Sequence, residues 1–374
     1  MPPLARRNLF HDKVRAAVTL TGVVFAVVLM VVQLGLFVGF TVTTSGIIDH
    51  SGADLWVVSH NTPYIEQGTP MPEQKYYNAL VTPGVERADK YIVRWGEWLT
   101  PRGSQESVQI VGFNPNTGFG GPWNVVAGRV EDLKTPDAVM IDELYKEKLG
   151  VTRIGEVVEI TGRRAKVVGF TRGIRAFTTT PYVFTSFKNA LDFTREREDQ
   201  TIFLLVKAKP GADLEQVRRD LKARLGDVDV LTAAEFSSMT RHYWMFTTGA
   251  GMGILISALL GLVVGVVVVA QTIYATTMDH IREFGTLKAM GAPNRYIYRV
   301  IFTQAGISAV LGYLIAMGVS IFVVRGSQQG GASIVVPYSL DAAIFVLTLA
   351  MCMTAALVSI NKVTSLDPAM VFKQ

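Results

Sequence analysis

A chain of 374 residues, 49% hydrophobic and 18% charged, with a mean hydropathy of +0.30, has the composition of an integral membrane protein. Its net charge of +5 is unevenly placed: residues 45–240 carry 24 Lys and Arg against 26 Asp and Glu, and the remaining segments hold a net of +7. A basic excess confined to the flanks of apolar runs follows the positive-inside rule and argues against nucleic-acid binding. The only cysteine, Cys352, lies in an apolar run, so no disulfide forms within one chain.

Residues 1–15 read as a basic amphipathic helix at the cytoplasmic face, with Arg6, Arg7, Lys13 and Arg15 interleaved with Leu4, Leu9, Phe10 and Val14. The apolar run from Ala16 to about Phe40 is longer than the roughly 7–15 residues of a signal-peptide core. At about 1.5 Å per residue it crosses a hydrocarbon layer of about 30 Å. Residues 16–44 are therefore expected to be a first transmembrane helix and its stalk.

Residues 45–240 contain no apolar run of spanning length and form an extracytoplasmic domain. Strands at Leu55–Val58, Tyr91–Leu99 and Ser107–Phe113 surround a helix at Glu73–Val81. Far downstream come a strand at Thr201–Val206, a helix at Ala212–Leu225 and a strand at Val228–Leu231. Joined in space, these predict βαββ plus βαβ, a small α+β sandwich. Asn114–Gln200 between them reads as an insertion rich in short strands. Its clearest piece is the hairpin Glu156–Ile160/Ala165–Phe170 across a turn at Thr161–Arg164.

Residues 241–275 read as a second stalk and span, whose Gly249, Gly251, Gly253, Gly261 and Gly265 suit close helix packing. A polar stretch follows at 276–297. Further spans are expected at 298–324 and 340–361, joined by a Gly/Ser/Gln-rich outer loop at 325–339 and followed by a tail at 362–374. Charge asymmetry puts both termini and the 276–297 loop in the cytoplasm and residues 45–240 outside.

Within the polar stretch, Ile281, Phe284, Leu287 and Met290 recur in steps of three, predicting one apolar stripe on a short helix. Arg282, Glu283 and Lys288 occupy the other faces. Gly291 suits a left-handed helix end, and Pro293 prevents continuation. By itself this stretch is equally well read as a cytoplasmic turn carrying positive-inside charge.

Several chemistries lack their residues. No G-x-x-x-x-G-K-[ST] is present to cradle ATP phosphates. The five histidines are scattered, without H-E-x-x-H, and no G-x-S-x-G elbow occurs. Ionisable residues are nearly missing from the apolar runs, which argues against a proton-driven carboxylate relay. Energy for any transport must then come from outside this chain.

The run IREFGTLKAMGAPNRYI resembles the coupling loop of the MacB/FtsX/LolC-type (type VII) ABC transporter permeases, through Arg282, Glu283, Phe284, Gly285, Leu287, Lys288, Ala289, Gly291 and Ala292. The N-terminal RNL…K-x-R pattern and Leu366-Asp367-Pro368-Ala369 resemble the two ends of the same family. GADLWVVS (52–59), ALVTPGVERA (79–88), VQIVGFNP (108–115) and GRRAKVVGF (162–170) are most similar to the DevC subfamily. The resemblance implies a four-span α-helical transmembrane domain plus an α+β MacB-like periplasmic core domain, porter-like with an inserted subdomain, in the inner membrane.

It further implies a non-catalytic permease subunit, with no cofactor or metal of its own and ATP-Mg on a separate ABC ATPase subunit. That ATPase would dock on Ile281, Arg282, Glu283, Phe284, Gly285, Leu287, Lys288, Met290 and Gly291. The implied assembly is a permease homodimer among membrane lipid with a membrane-fusion adaptor and a TolC-type outer-membrane channel, exporting a lipid, glycolipid or other amphiphile. The alternative is an FtsX-like signalling scaffold that activates a cell-wall hydrolase. A membrane-anchored enzyme is a distant third, because no catalytic constellation is found.

Overall fold

The computed structural model describes residues 13–279, 281–329 and 333–364. Most of the amphipathic helix expected at Leu4–Arg15 and of the tail at 362–374 lies outside the described residues. Lys13–Arg15 already belong to the first long helix. The chain divides into two compact units, a membrane unit and an ectodomain, at Gly39/Phe40 and again at Gly251/Met252.

The elements in chain order are α1 (Lys13–Thr44), α2 (Gly46–Asp49), β1 (Leu55–Ser59), β2 (Met71–Pro72), α3 (Gln74–Leu80), β3 (Val85–Leu99) and β4 (Gln105–Phe113). Then come β5 (Val125–Ala127), β6 (Ala138–Asp142), α4 (Lys146–Leu149), β7 (Val157–Ile160), β8 (Arg163–Thr171), β9 (Tyr182–Ser186) and α5 (Phe187–Thr194). The ectodomain closes with β10 (Gln200–Thr201), β11 (Phe203–Ala208), α6 (Leu214–Leu225), β12 (Val228–Thr232) and α7 (Ala233–His242). The last helices are α8 (Ala250–Asp279), α9 (Ile281–Ala289), α10 (Asn294–Gln329) and α11 (Tyr338–Thr364).

In the ectodomain, β12, β1, β11 and β3 lie side by side in that order, all antiparallel. With α3 and α6 as the connections this is a split βαβ pair, the ferredoxin-like arrangement. Local sequence dictates the helices. Asp213 accepts the Glu215 N–H at 3.0 Å to start α6, and Val217, Leu221 and Leu225 recur every four residues as its buried face. That face packs with α3 on Leu55, Val57, Leu204 and Val206. On the opposite face of the sheet, Trp56 meets Tyr91, Phe203 and Phe236 at ring separations of 5.2–5.7 Å.

The insertion enters one strand earlier than expected. The strand predicted at Ser107–Phe113 is part of β4, which pairs with the far half of β3, Ile92–Leu99, and not with the porter-like sheet. From there β4 pairs with β9, β9 with β6, β6 with β8 and β8 with β7, and β7 returns to Trp98 and Leu99 of β3. Six strands thus close into a small barrel, which removes exposed edges. The 15-residue β3 belongs to both halves of the domain. The turn expected at Thr161–Arg164 is only two residues long. Thr161 and Gly162 both have positive φ, as in a type I′ hairpin, and Arg163 and Arg164 already pair with Ile160 and Glu159. Thr201 pairs with Met71 on β2, so the strand predicted from Thr201 starts at Phe203.

Among the described residues four helices are long and apolar enough to cross a membrane: Ala16–Thr44, Ala250–Asp279, Asn294–Ser327 and Tyr338–Val358. Their shared core joins Val23, Val27 and Met30 of α1 to Ala305 and Ala309 of α10 and Cys352 and Ala356 of α11. Small residues at these contacts let backbones approach closely, which in lipid replaces the hydrophobic drive between helices. The glycine track of the second run serves packing only in part. Gly261 and Gly265 face Gln33 and Ala26 of α1, whereas Gly253 faces open space. The loop expected at 325–339 is shorter too, since Arg325–Gln329 continue α10.

Leu221 is fully buried between α6 and the sheet. Leu221→Ala should destabilise the ectodomain by about 2–5 kcal/mol, the range for a buried leucine truncated to a cavity. Denaturant unfolding of the full chain in detergent measures this, with Arg219→Ala on the exposed side of α6 expected to stay within about 0.5 kcal/mol of the parent.

Candidate coupling helix and ectodomain junction

The polar stretch between the second and third spans folds as a helix with a defined end. Helix α9 runs from Ile281 to Ala289, and the Thr286 hydroxyl donates to the Arg282 carbonyl at 2.9 Å. The Ala292 N–H reaches back to the Leu287 carbonyl and the Gly291 N–H to the Lys288 carbonyl, both at 3.0 Å, with Gly291 at φ +92°. This pair of bonds is the Schellman motif, which satisfies carbonyls that the last helical turn leaves open. Pro293 then blocks continuation, and α10 starts at Asn294 with the Tyr296 N–H on the Pro293 carbonyl at 2.9 Å.

The expected stripe does not hold together. On a helix of 3.6 residues per turn, steps of three drift by about 60° each, so Met290 lies about half a turn from Ile281. Leu287 packs on the membrane core together with Tyr296 and Met278. Met290 is 72% exposed and Ile281 is half-buried. Arg282, Glu283, Thr286 and Gly291 are exposed, while Gly285 and Lys288 are half-buried. The side chains of Phe284 and Ala289 and all of His280 lie outside the described residues. Among the described residues no group of three His, Cys, Asp or Glu is placed to hold a metal ion.

Sequence reasoning missed a second site, inside the ectodomain unit where the chain enters and leaves it. The second apolar run is not one helix from Tyr243. Tyr243–Thr247 form a π-helical turn in which the Thr248 N–H donates to the Tyr243 carbonyl at 3.1 Å, and Gly249, at φ +75°, breaks the path before α8 begins at Ala250. Aromatic packing accounts for the irregularity. Tyr64 stacks on Tyr243 at 4.1 Å and meets Trp244 at 5.4 Å; Phe177 meets Trp244 at 4.5 Å and Phe40 at 5.2 Å. Insertions of this kind recur at functional positions. The aromatic run Tyr243–Phe246 was a visible signal, but its partners come from three distant segments.

Beside the cluster a polar tie joins the two crossings. Arg241 Nη1 donates to Ser45 Oγ and to Ser237 Oγ, each at 2.7 Å. Asp49 accepts from Ser45 at 2.8 Å and from Ser237 at 2.7 Å. Asp49 is the N-proximal partner and Arg241 the C-proximal one, so the ectodomain begins and ends in one hydrogen-bonded knot.

Glu66 is 6% exposed and accepts a long bond from Trp244 Nε1 at 3.5 Å. Burial pushes its carboxyl up to about 7, against the opposing pull of the backbone and Trp244 hydrogen bonds. The folded chain therefore holds this proton more tightly than the unfolded chain, whose carboxyl ionises near 4.5. The folded state is penalised as pH rises from about 4.5 to about 7, and the penalty is complete above that. Glu66→Gln should match the parent in stability near pH 4.5 and exceed it at pH 7.5 by up to about 3 kcal/mol, at about 1.4 kcal/mol per tenfold change in proton affinity. Paired melts of the two full-length proteins across this range measure the gap; a constant difference at all pH values would contradict the assignment.

Comparison with known proteins agrees along nearly the whole chain. The MacB-like periplasmic core domain family model matches residues 16–224, and the FtsX-like permease C-terminal model matches residues 244–368. An uncharacterized ABC transporter permease of Mycobacterium tuberculosis is 24% identical over 377 residues, 98% of each chain. One of Mycobacterium bovis is 24% identical over 359 residues, 95% of this chain and 94% of its own. The crystal structure of the periplasmic region of MacB from Actinobacillus actinomycetemcomitans aligns with a TM-score of 0.39 at 11% identity, over 52% of this chain and 96% of that one. With a matched core domain that takes in more than half of its length and a permease domain following it, the chain belongs to the MacB/FtsX-type ABC transporter permeases.

Proposed function

We propose that this chain is a non-catalytic membrane subunit that converts ATP hydrolysis on a separate ATPase subunit into movement of its ectodomain. The observation that carries the reading is α9, a helix of nine residues capped by a Schellman turn and placed between two spans, with Arg282, Thr286 and Met290 exposed. Leu287 anchors this helix to the spans, so a push on its exposed side is transmitted to them and not absorbed by a loose loop. Met290 offers an apolar anchor and Arg282 a cation to the ATPase, the residue types that dominate protein contacts when desolvated.

In this reading ATP-Mg stays on the partner, both termini and α9 are cytoplasmic, and the ectodomain is periplasmic. Two copies of the chain form the transporting unit. Of the four spans α8 is the least covered by its own chain, and Ile256, Leu260, Val263 and Val267 make an exposed stripe for lipid or a second copy. The ectodomain stroke drives export of a lipid, glycolipid or other amphiphile through a membrane-fusion adaptor and a TolC-type outer-membrane channel, as the segments similar to DevC imply. Recovery of a cell-wall hydrolase in place of an adaptor with the purified complex would instead support a signalling scaffold.

Met290→Asp should lower recovery of the ATPase with the tagged permease at least tenfold, while the ectodomain melts normally. Gly291→Val should act in the same direction, because a branched side chain at left-handed φ costs about 1–2 kcal/mol and redirects the helix end. Undiminished recovery and normal ATP turnover in both variants would remove α9 from the coupling path. Topology is tested by maleimide labelling in a Cys352→Ser background: a cysteine at Ser104 should label from outside intact cells and one at Thr286 should not.

A further inference from the structure

The membrane unit contains a cavity of about 590 Å³ between α1, α10 and the extended segment that leads into α11. Its walls are mostly apolar, with Val31, Ile321 and Ile334 among them; Ser320, Arg325, Tyr338 and Asp341 are the polar side chains of the lining, and the first two carry the argument. The Ser320 hydroxyl is 2% exposed and has no hydrogen-bond partner. Elsewhere in the spans Thr277, Thr303 and Thr348 bond back to the carbonyl four residues earlier at 2.6–2.8 Å. A hydroxyl left unpaired in an apolar wall is unfavourable, so the site suits something that can bond it. The second group is Arg325, exposed at the rim and without an ion-pair partner among the described residues. The neighbouring carboxylate, Asp341, is engaged by the Tyr313 hydroxyl at 2.5 Å.

Depth follows from helix geometry. Ala16 to Gly35 is about 28 Å of rise at 1.5 Å per residue, close to the hydrocarbon thickness of about 30 Å. Gly35 carries the extended segment on its backbone, because its carbonyl accepts the Val335 N–H at 3.0 Å. A Cβ at Gly35 would come within 2.6 Å of Ile334 Cγ2. A hydrocarbon layer counted from Ala16 ends near Gly35, so the cavity beside Gly35 falls toward the ectodomain-side end of the spans, with Arg325 near the end of α10. Tyr338, exposed at the start of α11, is an aromatic of the kind enriched at membrane–water interfaces.

We propose that this cavity binds one glycerophospholipid of the ectodomain-side leaflet, its phosphodiester on Arg325, a glycerol-ester oxygen on Ser320 and an acyl chain along Val31 and Ile321. The volume falls within the roughly 300–1,000 Å³ typical of ligand pockets, enough for the headgroup, glycerol and the start of one chain, with the rest of the lipid in the bilayer. An unpaired arginine at the edge of hydrocarbon is costly and is satisfied by phosphate, whose geometry suits a guanidinium. The site rests on the membrane bundle alone and stands whether or not α9 receives the ATPase or an amphiphile is exported.

The test uses the full chain in detergent, supplied with equimolar palmitoyl-oleoyl phosphatidylglycerol or palmitoyl-oleoyl glycerol, and counts retained lipid by native mass spectrometry. The parent should keep one phosphatidylglycerol per chain through delipidation and little of the diacylglycerol. Arg325→Gln should lower phosphatidylglycerol retention at least fivefold without changing the melting temperature, since the residue is exposed. Ser320→Leu, which fills the wall, should release both lipids. Equal retention of the two lipids by the parent, or unchanged phosphatidylglycerol retention in Arg325→Gln, would overturn the proposal. Phosphatidylethanolamine in a third arm separates a plain phosphate site, indifferent to headgroup, from one in which Asp341 also receives the ammonium.

Discussion

The tie among Arg241, Ser45, Asp49 and Ser237 is the interaction on which the ectodomain's organisation depends. Nearly two hundred residues of mixed sheet and barrel are suspended between Ser45 and Arg241, and these ends meet in one hydrogen-bonded cluster. Its strength does not come from the ion pair itself. The Arg241 and Asp49 charges are 3.6 Å apart and partly open to solvent, where such pairs are worth about 0–1 kcal/mol. The shorter bonds through the two serine hydroxyls are charge-assisted, a class worth about 1.5–3 kcal/mol each before screening. Movement of one crossing relative to the other must break or reorient these bonds. Within the ectodomain, α2 and α7 are thereby held to each other and to Ser45.

A second constraint acts through β3. One half of this strand completes the split βαβ sheet through β11, and the other half opens and closes the barrel through β4 and β7. Because one continuous backbone runs through both, a change in sheet twist on the porter-like side carries into the barrel without a hinge. Tyr91 sits near the change-over, fully buried, with its hydroxyl on the Gly120 carbonyl at 3.1 Å. Burial drives its ionisation far above the usual phenol range, so it is a neutral, permanent strut.

What was legible in the sequence follows the range of the interaction. Hydropathy over windows of span length depends only on neighbouring residues, and it located all four spans. The end of α9 is equally local: Gly291 and Pro293 lie within six residues of the carbonyls involved, and the turn is of the type they imply. Barrel closure was illegible because Trp98 and Ile160 meet only through four intervening strands. Placing Ser107–Phe113 in the wrong sheet has the same origin, since β-periodicity identifies a strand but not its neighbour. The stripe from Ile281 to Met290 fails for a different reason: its period is three where the helix has 3.6, and the offset grows with each step. At the junction, the aromatics of Tyr243–Phe246 were in plain view inside the apolar run, but Tyr64, Phe177 and the buried Glu66 carry no pattern that links them to it.

The bilayer explains why irregular backbone appears where it does in the membrane unit. A non-helical segment near hydrocarbon survives only if other protein groups take its amide hydrogens and carbonyls. In Ile334–Pro337 the Val335 N–H is taken by the Gly35 carbonyl, an approach close enough that a Cβ at position 35 would meet Ile334. The same close approach sets the segment against α1 while α10 continues past it to Gln329, and the space left between them is the cavity beneath Arg325. Glycine on α1, extended backbone before α11 and a lined cavity toward the end of the spans are thus one packing event. Enlarging residue 35 would displace the segment and remodel the cavity together, with no change in the charge of either.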